Sequence, residues 1–506
     1  MKQGWGRLFG LAALLLALAL SGCMRPIPSG VSPLEREAIA ARMMRDIDIL
    51  ASDDFGGRKP GTIGEARTLA YLTGRMQEAG LVSGTNDPGS AWRAPVELVS
   101  TTPDNSRIAF SIGRRSFEVA SANSFATTPR RRELAQGGPD TGAAVWFAGA
   151  KPEALGESDV AGAIIIVMDE RAITPAQRSA LFKRNAAAVL TIVSGSEALG
   201  RLRERASGER LRLLSDDANT LSAYVTEGAM IEALGEARWR DLARAAAASD
   251  FAPVALDIGV TIEATSLRRE FVSHNLIGMI SGTAPDEAAI LLLAHWDHLG
   301  ECGPAQAADR ICNGAVDNAS GIALMLELAR RLKAGTPPQR DIYVLATTAE
   351  EAGLLGARAF AAAPPIPLER FAAAFNFDTV AVAPAGAPLG IVGRGRTPFE
   401  PVVAEHLART KRVLASSDFA DTFLERQDGW ALLQQGVPAV LISSAFASRE
   451  ALGPYLARDY HRASDTSDKI ELGGAVDDLL LHEAVIRQIA DPARYKPAPV
   501  PAAPVP

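Results

Sequence analysis

Two of the six histidines in this 506-residue chain stand close together in "AHWDHLG" (294–300), with Asp297 between them and the apolar run Ala288 to Ala294 leading in. Four further stretches place acids or imidazoles beside small, turn-forming residues: "GAVDNASG" (314–321), "TAEEAGLLG" (348–356), "FNFDTV" (375–380) and "YHRASDTSDKI" (460–470). Singly, each has an ordinary explanation: Asp317 as a helix N-cap, Glu350 and Glu351 as a helix first turn, His461 as a surface-loop histidine. Together they supply the donors that two zinc ions need if they share one carboxylate. Zinc takes imidazole nitrogen and carboxylate oxygen at about 2.0–2.2 Å and keeps a position open when catalytic. Two ions about 3.5–4 Å apart activate a water between them and polarise a carbonyl, while a nearby free carboxylate shuttles protons. The adjacent pair Glu350 and Glu351 offers one carboxylate to a metal and one to that water.

Such residues need elements that hold their ends together. From Ala289 the pattern alternates regularly: strand Ala289 to Ala294, helix Gly321 to Lys333, strand Asp341 to Thr347, helix Gly353 to Ala362, strand Ala372 to Phe377. Strands separated by helices predict an α/β fold with a mixed or parallel sheet flanked by helices. In such sheets ligands gather beyond the carboxyl ends of strands, where His295, Glu350 and Asp378 stand. Upstream, Leu34 to Leu50 and Ala66 to Ala79 have helical apolar spacing, separated by the turn-rich "SDDFGGRKPGTIGE". Between about Ala94 and Leu267 the texture changes to short β-like runs, such as Ala143 to Phe147 and Ala163 to Met168, interleaved with Ala-rich helical stretches. This region reads as a separate domain.

A chain of 506 residues is long enough for two or three domains. The formal net charge of -7 supplies no broad basic field, which speaks against nucleic acid as a partner. Arg130 to Arg132 and the Arg-rich stretch Arg201 to Arg212 read as a solvated loop and a solvated helix face, since acids are interspersed and no aromatic platform accompanies them. At the start, Lys2 and Arg7 precede the apolar run Leu8 to Leu20, too short for a comfortable membrane span, and the segment closes on "LSGC". This ending resembles the lipobox of bacterial lipoproteins. The resemblance implies a signal peptide over residues 1–23, a diacylglycerol anchor on Cys23 and an envelope location, with the outer membrane facing the periplasm favoured because Met24, not Asp, follows. Only Cys302 and Cys312 remain in the mature chain; export to an oxidising compartment permits a disulfide between them, the alternative being two partly buried thiols. The end, "DPARYKPAPVPAAPVP", is too Pro-rich for helix or sheet, so residues 491–506 read as a solvated, disordered tail.

The ordered set His-x-Asp, Asp-Asn-x-Ser-Gly, Glu-Glu-x-Gly, Asn-x-Asp, Tyr-His, carried by the five stretches above, resembles the secreted di-zinc aminopeptidases of the Streptomyces and yeast vacuolar type, related to glutamate carboxypeptidase and transferrin receptor. "LASDDFGGRKPGTIGE" resembles that family's N-terminal entry. The resemblance implies a zinc exopeptidase, phosphorylase/hydrolase-like fold split into residues 24–95 and 269–490. Between them "VAGAIIIVMDE", "KRNAAAVLTIV" and "LSAYVTEGAMIEAL" resemble the β-rich protease-associated domain, here an insertion over 96–268. Carried over residue by residue, the likeness implies two zinc ions on His295, Asp317, Glu351, Asp378 and His461, with Asp317 bridging and Glu350 as general base. Asp297 becomes the carboxylate that fixes the tautomer of His295, and His298 a structural bystander. Tyr460 resembles the family's oxyanion donor. "LERQDGWALLQQGVPAVLI" (424–442) has the texture of the family's Arg-Ser-Asp-His segment, which implies Arg426 and Asp428 as pocket residues. Gln427 and Gly429 depart from that pattern, as do Arg462-Ala463 and Thr379 from theirs, and these changes bear on pocket shape.

The activity the resemblance implies is removal of N-terminal residues from peptides by a metal-activated water. A carboxypeptidase or deacylase on the same site is the alternative, because specificity lives in pocket details. A non-catalytic binding module is a more distant reading, since the full ligand set and the base are present.

Overall fold

The computed structural model describes residues 31–497, apart from 88, 169–172, 217–218, 285–287, 305 and 417. Cys23 and the expected signal segment lie outside the described residues. Contacts divide the chain into two units: the first holds residues up to Ala94, Leu276–Glu350 and those from Phe360 onward, the second Pro95–Asn275 with the short stretch Glu351–Ala359. The insertion expected over 96–268 thus extends further in sequence, because the strand Gly259–Ile280 runs through without a break.

The first unit is built on a mixed sheet in the order Gly390–Val392, Ala439–Ser443, Phe371–Asn376, Ala289–His295, Ile342–Thr347, then the last residues of Gly259–Ile280. The four inner strands pair in parallel and the two flanking ones antiparallel. Parallel strands covered on both faces read as continuous apolar runs, which is why "AILLLAH" is buried at every position. Its side chains alternate between two cores. Ile290, Leu292 and Ala294 pack on one face with the helices Pro33–Leu50, Gly321–Ala334 and Leu472–Ile489; Ala289, Leu291 and Leu293 pack on the other with Phe360, Phe371 and Leu432. Register sets the site: His295 pairs with Thr347, and Leu293 with Asn376, so two strands end level and the third two residues earlier, leaving Asp378 two residues past its end.

The second unit has its own sheet, in which Val145–Gly149, Ile164–Met168, Ala188–Val193 and Ser222–Thr226 run parallel. The second unit is rich in strands, as expected, with helices between them. Parallel neighbours need crossover connections, and the helices Pro175–Lys183 and Ser196–Ala206 lie in the crossovers between these strands. The tail expectation is corrected at its start. Tyr495 is buried in the first unit's core with Arg340 over its ring, so packing continues past residue 491.

Candidate metal centre

Five loops converge beyond those strand ends. His295 closes its strand; its Nδ1 donates to the Asp297 carbonyl oxygen at 3.1 Å, which leaves Nε2 as a bare lone pair. That lone pair meets carboxylates: Asp317 Oδ1 at 3.3 Å, Asp378 Oδ1 at 3.6 Å and Glu350 Oε2 at 4.0 Å. A nitrogen lone pair facing carboxylate oxygens is repulsive unless a cation lies between them. Burial works against a charged His295, but Glu350, Asp317 and Asp378 outweigh it and raise its pKa well above the usual histidine value. Burial likewise opposes ionisation of Asp317, yet His295, His461 and His298 hold its carboxyl well below the usual range. The site therefore binds positive charge, as a proton or as a metal.

Donor spacing fits a metal. A tetrahedral nitrogen and oxygen shell with bonds of about 2.0–2.1 Å sets neighbouring donors roughly 3.3–3.5 Å apart, close to the separations of His295 from Asp317 and Asp378. His295, Asp317 and Asp378 form one group of potential ligand atoms; His298, Asp317 and Glu351 form a second. Asp317 belongs to both, with Oδ1 toward His295 and Oδ2 at 3.4 Å from His461 Nε2. Glu351 is tied to this place by its peptide bond to Glu350.

The loops are held by specific bonds. Asp465, fully buried, accepts from the backbone N–H groups of Val316 (2.9 Å) and Asp317 (3.1 Å) and from Tyr455 Oη (2.9 Å), and burial pushes its pKa up. Asn318 Nδ2 donates to Phe377 O at 2.9 Å while its Oδ1 accepts from Gly321 N and Thr379 N, locking the stretch before the helix to the one that carries Asp378. A Cβ on Gly321 would stand 2.2 Å from Asn318 Oδ1 and 2.3 Å from Phe377 O, so only glycine fits there. Ala349, Thr379 and His461 have φ of 52°, 52° and 59°, left-handed values costly for non-glycine residues. All three adjoin or are site residues, where strain of this kind persists because the surroundings over-determine it.

Several expectations shift. The Asp297 carboxylate was expected on the ring of His295; its Oδ1 is 3.8 Å away, and it accepts instead from Glu350 N at 3.1 Å. Asp297 thus orients His295 through its main-chain oxygen and the Glu350 loop through its side chain. His298, expected as a bystander, lies inside the second ligand group with its ring 5.9 Å from that of His461. Asp428 does not line the pocket. It is buried, accepts from Thr347 Oγ1, and burial pushes its pKa up to about 6. Arg426 and Tyr460 do line the pocket: Arg426 Nη2 donates to Tyr460 Oη at 3.4 Å, and the Tyr460 ring stacks on His461 with centroids 3.7 Å apart. Glu350 and Asp378 open into the same cavity, which Phe423, Leu441, Phe446, Leu452 and Leu456 also line. Cys302 and Cys312 are paired as a disulfide, Cα atoms 5.8 Å apart, with Cys302 Sγ 3.7 Å from His461 O. The roles of Asp465 and Asn318 went unread, although both lie inside motifs singled out from the sequence; an N-cap or loop residue gives no sign of which distant backbone it holds.

Residues 275–479 match the model described as peptidase family M28. A 93-residue stretch is 39% identical to the alkaline phosphatase isozyme conversion protein of Escherichia coli (strain K12), covering 17% of this chain and 26% of that relative. The chain thus spans about a quarter of that relative's length. An aminopeptidase from Aneurinibacillus sp. strain AM-1 shares the fold, with a TM-score of 0.53 at 19% identity over 92% of this chain and 96% of that one. A zinc aminopeptidase from Bacillus subtilis is similar with a TM-score of 0.46 at 16% identity, over 91% and 97%.

Proposed function

We propose that this chain is a zinc-dependent exopeptidase that removes N-terminal residues from peptides. The observation that carries the reading is Asp317, which turns one carboxylate oxygen to His295 and the other to His461, as a residue shared by two ions must. His295, Asp317 and Asp378 would hold one zinc; Asp317 and Glu351, with His461 or His298, the other. Bound there, the metal supplies Lewis acidity that polarises the scissile carbonyl and makes water a stronger acid. Glu350, held by its N–H on Asp297 and open to the pocket, accepts the water's proton on its carboxylate and passes it to the leaving amine. Tyr460, steadied by Arg426, donates its hydroxyl proton toward the developing oxyanion. The apolar wall from Phe423 to Leu456 suits a hydrophobic side chain on the residue whose carbonyl is attacked.

Arg426 in the pocket lining favours a second reading, in which its guanidinium grips a substrate C-terminal carboxylate. Leucyl p-nitroanilide and a C-terminally glutamylated peptide separate the two. Hydrolysis of the first alone supports the aminopeptidase; hydrolysis of the second alone establishes the carboxypeptidase. We further propose that the protein works in the cell envelope, anchored through diacylglycerol on Cys23, on the strength of the lipobox-like "LSGC". Clickable-palmitate labelling tests this, and unlabelled full-length protein in the cytosol would refute it.

A further inference from the structure

Arg58 is 1% exposed, and its guanidinium is spent on main-chain carbonyls. Nε donates to Trp296 O at 2.9 Å, Nη1 to Leu50 O at 2.8 Å and Asn313 O at 2.6 Å, and Nη2 to Gly314 O at 2.8 Å. In return the Arg58 carbonyl accepts from His298 N at 3.4 Å. These partners are not scattered. Trp296 and His298 flank Asp297 in the stretch that carries His295, and Asn313 and Gly314 lead directly into Asp317. Arg58 thus ties the two ligand-bearing stretches to each other from a segment more than two hundred residues upstream in sequence.

The backbone is shaped for this insertion. Gly56, Gly57 and Arg58 are consecutively left-handed, with φ of 53°, 63° and 48°. A Cβ on Gly57 would stand 2.5 Å from Cys312 O and 2.8 Å from Gly300 Cα, so the turn enters against the base of the hairpin that joins the two stretches. A left-handed arginine is unfavourable by itself and persists where its surroundings over-determine it.

We propose that Arg58 is a positioning residue of the metal centre: its fork fixes the separation between the His295–His298 stretch and Asp317, and so the affinity of the shared ligand set for zinc. The inference rests on the metal-centre reading above. Planar donors in a fixed fork set distances between several acceptors at once, which a flexible ammonium does less well. Without the guanidinium the carbonyls of Leu50, Trp296, Asn313 and Gly314 each lose a charged donor, Gly314 O keeping only Ala319 N at 3.1 Å, and the two stretches relax apart.

Arg340 is the control. It is also 1% exposed and donates to a main-chain oxygen, that of Ile489, but it precedes the strand Ile342–Thr347 at the end away from the site, roughly 20 Å along the strand. In the purified full chain, zinc affinity is measured by competition with a chromogenic chelator, and zinc-free melting temperature by circular dichroism. R58M is expected to bind zinc about 10–100-fold more weakly, the range seen when groups that orient metal ligands are lost, with R58K between it and wild type. R340M is expected to melt lower while keeping wild-type affinity. Affinity within twofold of wild type in R58M overturns the proposal, as does an equal loss in R340M. If R58M does not fold, R58K decides, and wild-type affinity there overturns it. A wild-type chain that takes up no zinc brings down the metal-centre reading itself, an outcome distinct from these.

Discussion

Two histidines of the first unit are equally buried and yet behave in opposite ways. His295 and His482 each donate Nδ1–H to a main-chain carbonyl, Asp297 O at 3.1 Å and Asp478 O at 2.7 Å. His482, on the helix Leu472–Ile489, packs edge-on to Phe375 and Phe377, and burial pushes its pKa down to about 4. His295 sits among Asp317, Asp378 and Glu350, which raise its pKa in spite of burial. Burial and a fixed tautomer are therefore common to a packing residue and to the proposed ligand. What distinguishes His295 is the convergence of carboxylates on the second ring nitrogen.

The sharpest way to break this contrast is to remove each ring. H295A is expected to lose zinc from its group and to lower turnover by roughly three decades or more, since a metal supplies several kcal/mol of charge stabilisation. H482Q should keep its zinc and stay within about threefold of wild type, because its surroundings offer aromatic faces rather than donors. Comparable losses of zinc in both would erase the distinction. A similar contrast separates the neighbouring glutamates. E350Q should retain zinc while turnover falls roughly two to four decades, the usual result of losing a general base, whereas E351A should lose metal. Zinc-content and single-turnover assays read both.

Much of this was legible from residue types alone. The inner strands announce themselves because both faces are covered, so "AILLLAH" carries no polar interruption until His295. The converging residues are legible because each is an acid or imidazole at an element end. Contacts between remote segments were not. Nothing in "FGGRKPG" says that Arg58 reaches the carbonyls of residues 296, 313 and 314, and a carboxylate next to a histidine gives no hint that its carbonyl, not its side chain, will meet the ring. His298 was set aside for the same reason: only the folded hairpin brings it to Asp317. The Ala-rich stretches of the second unit read as helical from the sequence and are helices, but nothing in them said that the strands between would pair in parallel.

Acid separates the two histidines in smaller steps. Zinc must displace the proton that the carboxylates favour on His295, so zinc affinity should fall at least roughly tenfold between pH 7.5 and 5.5, read by chelator competition. In metal-free protein the sign reverses: the raised pKa contributes stability below about 6.5 that is lost as pH rises through the folded value. The depressed pKa of His482 contributes stability above about 6.5 that is lost as pH falls through about 4, at most about 3 kcal/mol. Thermal melts of wild type and H482Q from pH 7 to 4 should therefore converge or cross, and parallel curves would contradict it.

The most direct test of the account is a metal count on wild type and D317A by plasma emission spectroscopy after passage over a desalting column. Because Asp317 is, among the described residues, the one turned toward both His295 and His461, wild type should carry two zinc ions per chain and D317A fewer than one. A wild type that saturates at one ion, or a D317A that still holds two, would show that Asp317 does not join two metals, and the shared-carboxylate centre would be wrong.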